Sequence, residues 1–182
     1  MAVREDYRSM VPFARRWHVI AEIDLMRIVA EHAAIEHLCK RLESIADTLP
    51  ERPSPGAVVI VTEELEELLG AHNSHEDQVL EAMFARDLPR LLTHSLLDHI
   101  HARHISCAVQ AQDLSAALMA GAEGEHAVPA ETLGYMLRCF FEGCRDAMAF
   151  EQLAILALAG NRLTDGARAL MTERMAQTCR TV

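Results

Sequence analysis

Aromatic side chains are scarce in this 182-residue chain: one Trp, two Tyr and five Phe, or 4% of the whole. With Ala, Leu, Met and Glu dominant and hydrophobic residues at 51%, the composition favours helices packed by aliphatic side chains. A sheet fold would want more Val, Ile, Tyr and Thr. The five cysteines (Cys39, Cys107, Cys139, Cys144, Cys179) include no CxxC pair. That excludes a paired-cysteine zinc site and reads as small buried or half-buried thiols in a reducing compartment. Basic residues are outnumbered, 17 against 27 acids for a net charge of −10, and form no cluster. Nucleic-acid binding, which needs a positive face against phosphates, is not expected. No apolar run reaches the ~18 residues of a spanning helix. The start, Met1-Ala2-Val3-Arg4-Glu5-Asp6, lacks the apolar core of a signal peptide, so a cytoplasmic location is expected. There is no HExxH motif, no Gly-rich phosphate loop and no G-x-S-x-G elbow. The Glu-x-x-His spacing of ferritin-type sites occurs only at Glu123 and His126, within a Gly-bearing stretch.

What the chain does have is helical periodicity, broken at a few places. Three prolines within Pro50–Pro55 cannot continue a helix and end the first run. Asp87-Leu88-Pro89 marks a sharper break. The stretch Gly121 to His126, followed by Pro129, separates the third run from the fourth. Gly160-Asn161 ends the fourth, and Thr164 is placed to cap a short last helix. The stripes step by three and four residues. They are Leu25, Ile28, His32, Ile35, Cys39, Leu42 and Ile45; then Leu65, Leu68, Leu69, His72, Glu76, Val79, Leu80 and Met83. The third holds Leu97, Ile100, His104, Cys107, Ala111, Leu114 and Leu118, with His101 at its edge. The fourth holds Leu133, Met136, Leu137, Phe140, Ala147, Glu151, Ala154, Ile155 and Leu158. Val58-Val59-Ile60-Val61 looks strand-like but runs straight into Glu-rich helix formers, so we read it as the start of the second helix. The segment up to about Arg16 is expected to form a short extra helix or an arm. The expectation is one all-α domain over residues 1–182: an antiparallel four-helix bundle with short extra N- and C-terminal helices.

His32, His72, Glu76 and Glu151 fall on stripes that should face the core. A lone histidine there is usually a hydrogen-bonded core residue. An inward carboxylate is different, because burying it without a partner costs several kcal/mol; it calls for a metal, a network or a cation. Residues four apart differ by about 40° and about 6 Å of rise, so His72 and Glu76 can reach one ion together. Facing helices of a bundle can supply the rest. His37, His75, His94 and His99 read as solvated or rim residues, and His18 and His126 have no assigned role.

These residues resemble the hemerythrin-like, or HHE cation-binding, family. Val29-Ala30-Glu31-His32-Ala33-Ala34-Ile35-Glu36-His37 looks like its first ligand helix, and Leu69-Gly70-Ala71-His72-Asn73-Ser74-His75-Glu76 is similar to its second. Leu97-Asp98-His99-Ile100-His101-Ala102-Arg103-His104 resembles the third, where His101 is the ligand favoured by motif and His104 the one favoured by the stripe. Cys144-Arg145-Asp146-Ala147-Met148-Ala149-Phe150-Glu151 looks like the fourth, whose pattern is His-x-x-x-Glu. The resemblance spans about residues 20–178. It implies a non-haem iron site with two irons bridged by the two glutamates. Ala147 stands where the fourth helix should carry a histidine, which by analogy depletes one position and makes a mononuclear site plausible. Two histidines and a carboxylate with open positions suit iron(II) better than a closed structural zinc site.

Three functions follow as expectations. The first is a hemerythrin-like iron protein that binds or senses O2 or NO, or handles iron. The second is a helical interaction or regulatory module with a partly or wholly degenerate metal site. The third is an iron-dependent oxidase, disfavoured because the sequence carries no recognisable substrate pocket. The partner expected is a small diatomic ligand; a homodimer is left open, and no membrane or nucleic-acid partner is expected.

Overall fold

Five α-helices carry nearly all of the described chain, which in this computed structural model comprises residues 19–84, 90–123 and 127–178. They are α1 (Glu22–Thr48), α2 (Pro55–Phe84), α3 (Arg90–Glu123), α4 (Ala130–Ala159) and α5 (Asp165–Thr178). The proposed N-terminal helix and the break at Asp87-Leu88-Pro89 lie outside the described residues. The Val58–Val61 patch is helical, as read. Ser54 caps α2, its Oγ accepting from the Ala57 N–H at 3.3 Å, and Pro55 occupies the first helical position, where its missing N–H does no harm. Thr164 caps α5 in the same way, accepting from the Ala167 N–H at 3.1 Å.

One break differs from the sequence reading. Gly121 does not end the third helix; α3 runs on to Glu123. The glycine serves a close approach instead, since a Cβ there would sit 2.5 Å from the Arg52 guanidinium, and that guanidinium reaches across to bond the Val128 carbonyl. Gly160 does stop α4, with φ 53° and ψ −120°, a conformation that suits only glycine.

Helix α1 packs on α2 and α4, and α3 packs on the same two, so the four long helices close a ring. Side chains inside the ring fall into two apolar clusters. One unites Ile35–Ala46 of α1, Val58–Leu69 of α2, Cys107–Leu118 of α3 and Leu133–Met148 of α4. The other unites Leu25–Val29, Leu80–Phe84, Ile100 and Ala154–Ala159 with Ile20, Leu163 and the inner face of α5. The second cluster is closed at its end. Ile20 N–H donates to the Arg162 carbonyl (2.8 Å) and Thr164 N–H to the Ile20 carbonyl (3.0 Å), while the buried Arg162 guanidinium holds the Met83 carbonyl at 3.0 Å. Between the clusters, each long helix contributes a short polar stretch. Among the described residues no helix is long and apolar enough to cross a membrane.

Candidate metal centre

The polar layer is made of His32 from α1, His72 and Glu76 from α2, His104 from α3 and Glu151 from α4, all buried. Each sits on its helix's apolar stripe, with Leu25, Ile28 and Ile35 flanking His32, and Cys107 and Ile100 flanking His104. The hydrophobic period therefore aims these polar side chains inward. One ligand atom from each of His32, His72, Glu76 and Glu151 lies within 4.8 Å of the others.

The distances are those of atoms that could share an ion. His72 Nε2 lies 2.9 Å from Glu76 Oε2, and His32 Nε2 lies 3.1 Å from Glu151 Oε2. His104 Nε2 approaches from the other side, 3.3 Å from Glu151 Oε1 and 3.6 Å from Glu76 Oε2. Ligands about 2.1 Å from one ion stand about 3.0 Å apart at a right angle and about 3.4 Å at the tetrahedral angle. His32 Nε2, His104 Nε2, both Glu76 oxygens and Glu151 Oε2 are buried without making a hydrogen bond. Close approach without hydrogen-bond geometry is what lone pairs directed at a common point produce. Five donors, three imidazole nitrogens and two carboxylates, fit a borderline divalent cation.

The opposite ring nitrogens are held from outside. His72 Nδ1 faces Glu31 Oε2 at 3.3 Å, His104 Nδ1 faces Asp77 Oδ1 at 3.1 Å, and His32 Nδ1 meets the Gln152 side-chain amide at 3.2 Å. An acceptor at Nδ1 fixes the proton there and leaves the Nε2 lone pair free, the arrangement metal-ligating histidines need. Glu31 and Asp77 provide it directly. Gln152 provides it when its amide oxygen, which makes no other bond, turns to Nδ1. The sequence reading gave these three residues no role. A signal was present all the same: each is the immediate neighbour of a ligand, Glu31 before His32, Asp77 after Glu76, Gln152 after Glu151.

The charges are mutually dependent. Burial opposes an imidazolium at His72 and at His104, but Glu151 and Glu76 overcome it and raise each to about 10. His32 moves up for the same reasons. Burial likewise opposes the Glu76 carboxylate, yet the neighbouring imidazoles of His104, His32 and His72 bring it down to about 2, and Glu151 is lowered by the same three partners.

Two expectations change. His101, favoured by motif, does not enter the layer: its ring is 63% exposed and bonded through Nδ1 to Asp77 Oδ2 at 3.1 Å. His104 takes the inward place. His75 is more than a rim residue, since its Nδ1 shares Glu31 Oε2 with His72 at 3.0 Å. His37 and His94 are exposed, as read, and His99 stacks edgewise on Phe150. Ala147 is buried and lines a cavity of about 20 Å³ together with His72, His104, Cys107, Cys144 and Glu151. The space beside it is about that of one water.

No protein-family model, no curated protein and no solved structure matches this chain.

Proposed function

We propose that this chain is a non-haem iron protein of hemerythrin-like type, which binds or senses O2 or NO, or holds iron, in a cytoplasmic setting. The observation that carries this reading is the convergence of three Nε2 atoms and two carboxylates from four helices, each Nδ1 tied outward. The proposal includes an antiparallel four-helix arrangement. It is supported by the make-up of the two clusters, which pair the N-terminal halves of α1 and α3 with the C-terminal halves of α2 and α4.

His32, His72, Glu76 and Glu151 would hold one ion, and His104 with the outer carboxylate oxygens would hold a second or complete the first. Iron bound there supplies open coordination positions for a diatomic ligand. The rest is done by the protein. Glu31 and Asp77 orient the His72 and His104 rings and keep protons on their Nδ1 atoms, and Gln152 orients His32. Ile35, Leu69 and Met148 wall the cavity beside Ala147 and limit water. Purification without oxygen in the presence of ferrous iron tests the reading. The expected result is at least one iron per chain and, on admitting O2 or NO, new visible absorption. Iron-free protein that stays folded would overturn it.

Ala147 favours a second reading, a helical interaction module with a lost site, because the fourth helix offers one donor where the family pattern has two. On that reading chelation leaves stability unchanged, whereas a working site loses thermal stability when the ion is removed.

A further inference from the structure

Three buried thiols lie beside the metal layer without belonging to it. Cys107 of α3, Cys144 of α4 and Cys39 of α1 belong to one buried cluster, and Cys107 and Cys144 line the same small cavity. All three are free. Cys107 occupies a boundary position: it lines the small cavity next to Ala147 and also the floor of a surface groove of about 360 Å³ between α3 and α4. The groove is lined by two thiols, the exposed Cys139 and the buried Cys107, and only Cys107 also borders the inner cavity, where Cys144 lies.

The groove is equipped for more than access. Arg103 stands one turn before Cys107 on the same face and also lines the groove. Its guanidinium therefore stands at the mouth through which a solvent molecule would reach Cys107. Its guanidinium is fixed by a 3.0 Å bond to the Gly143 carbonyl, while its Nε is covered and makes no hydrogen bond. A groove-lining thiol beside a fixed cation, with a second thiol on the wall of the same inner cavity, is the equipment of a peroxide-reactive cysteine with its resolving partner.

We propose that Cys107 and Cys144 form a redox pair, oxidised to a disulfide by a hydroperoxide entering through the α3–α4 groove. The Cys107 sulfur attacks one oxygen and the O–O bond breaks. The leaving oxygen takes the thiol proton and departs as an alcohol, or as water from hydrogen peroxide. Cys107 is then a sulfenic acid. The Cys144 sulfur attacks it, and the hydroxyl leaves as water with the Cys144 proton. In sum two thiols are oxidised and one hydroperoxide is reduced to an alcohol and water. The inference is independent of the iron reading, because no step uses the histidines or the glutamates.

The test uses the full chain, reduced, stripped of metal with a chelator and exposed to an equimolar amount of hydrogen peroxide. Two thiols should be lost, with peptide mapping joining Cys107 to Cys144 and dithiothreitol restoring both. In Cys144→Ser, and in Cys144→Ala, which keeps the site apolar, Cys107 should instead gain one oxygen and be trapped by dimedone. In Cys107→Ser the peroxide should leave Cys144 and Cys39 free. Oxidation of Cys139 or Cys179 while Cys107 stays reduced, a Cys39–Cys144 link in its place, or a reaction that occurs only with metal bound would each overturn the proposal.

Discussion

His101 and His104 lie three residues apart on α3, and three residues turn a helix by about 300°, so their rings point about 60° away from one another. That angle takes one ring into the interior and leaves the other in solvent, with Asp77 bonded to both. Metal titration of alanine variants should separate them: His104→Ala weakens binding by at least about tenfold, and His101→Ala leaves it within about twofold. The reverse order would mean that α3 turns when an ion binds. Ala147 offers the second residue-scale test. Ala147→His restores His-x-x-x-Glu one turn from Glu151 and should raise iron content toward two per chain. The ring is much larger than the cavity of about 20 Å³, so a stability loss of about 1–3 kcal/mol in urea should accompany it. A folded variant with unchanged iron would remove Ala147 as the gap in a two-ion site. The inward ligands were legible because a carboxylate on an apolar stripe needs a reason to be there. His104 was legible from the stripe and obscured by the motif, since periodicity reports burial whereas a short pattern can slip by most of a turn. Glu31, Asp77 and Gln152 were not legible as a group. Each is bonded across to another helix or another turn, and only the packing reveals which ring each one holds.

At the scale of the element, helix ends and interiors use glycine in opposite ways. Gly70 lies exposed in the interior of α2, and a Cβ there would meet nothing. Gly70→Ala should therefore stabilise by about 0.5–1 kcal/mol. Gly160 also has open space around it, but its φ of 53° is one that a side chain rarely adopts, so Gly160→Ala should cost about 1–3 kcal/mol. Denaturant midpoints of the two variants should move in opposite directions; a shift of the same sign would show that space, rather than backbone conformation, governs both. The four long helices could be read directly from their stripes, and Thr164 marked the start of α5 correctly. Gly121 could not be read in the same way. A glycine that ends a helix and a glycine that admits a guanidinium look alike until Arg52 is placed beside it.

For the whole molecule, stability and metal binding should respond to pH in opposite directions. In metal-free protein His72 and His104 rise from 6.5 to about 10. Their contribution is complete below 6.5 and is lost as pH rises through about 10. Glu76 falls from 4.5 to about 2, so its contribution is complete above 4.5 and is lost as pH falls through about 2. The chelated protein should therefore melt at lower temperature as pH is raised from 6.5 to 10. Metal binding needs neutral rings, so it should release protons and tighten over the same range. Equal slopes for the two quantities would contradict this cluster as the site. The layer has a kinetic consequence as well. The two apolar clusters meet across charged side chains rather than across interlocking hydrocarbon, so the interior has a seam, and the two ends of the molecule can open separately. Amide hydrogens on either side of Glu76 should then exchange with deuterium in two groups of unequal rate in metal-free protein. An ion bridging four helices would join those groups into one, and the protein would breathe as a single body only when it is loaded.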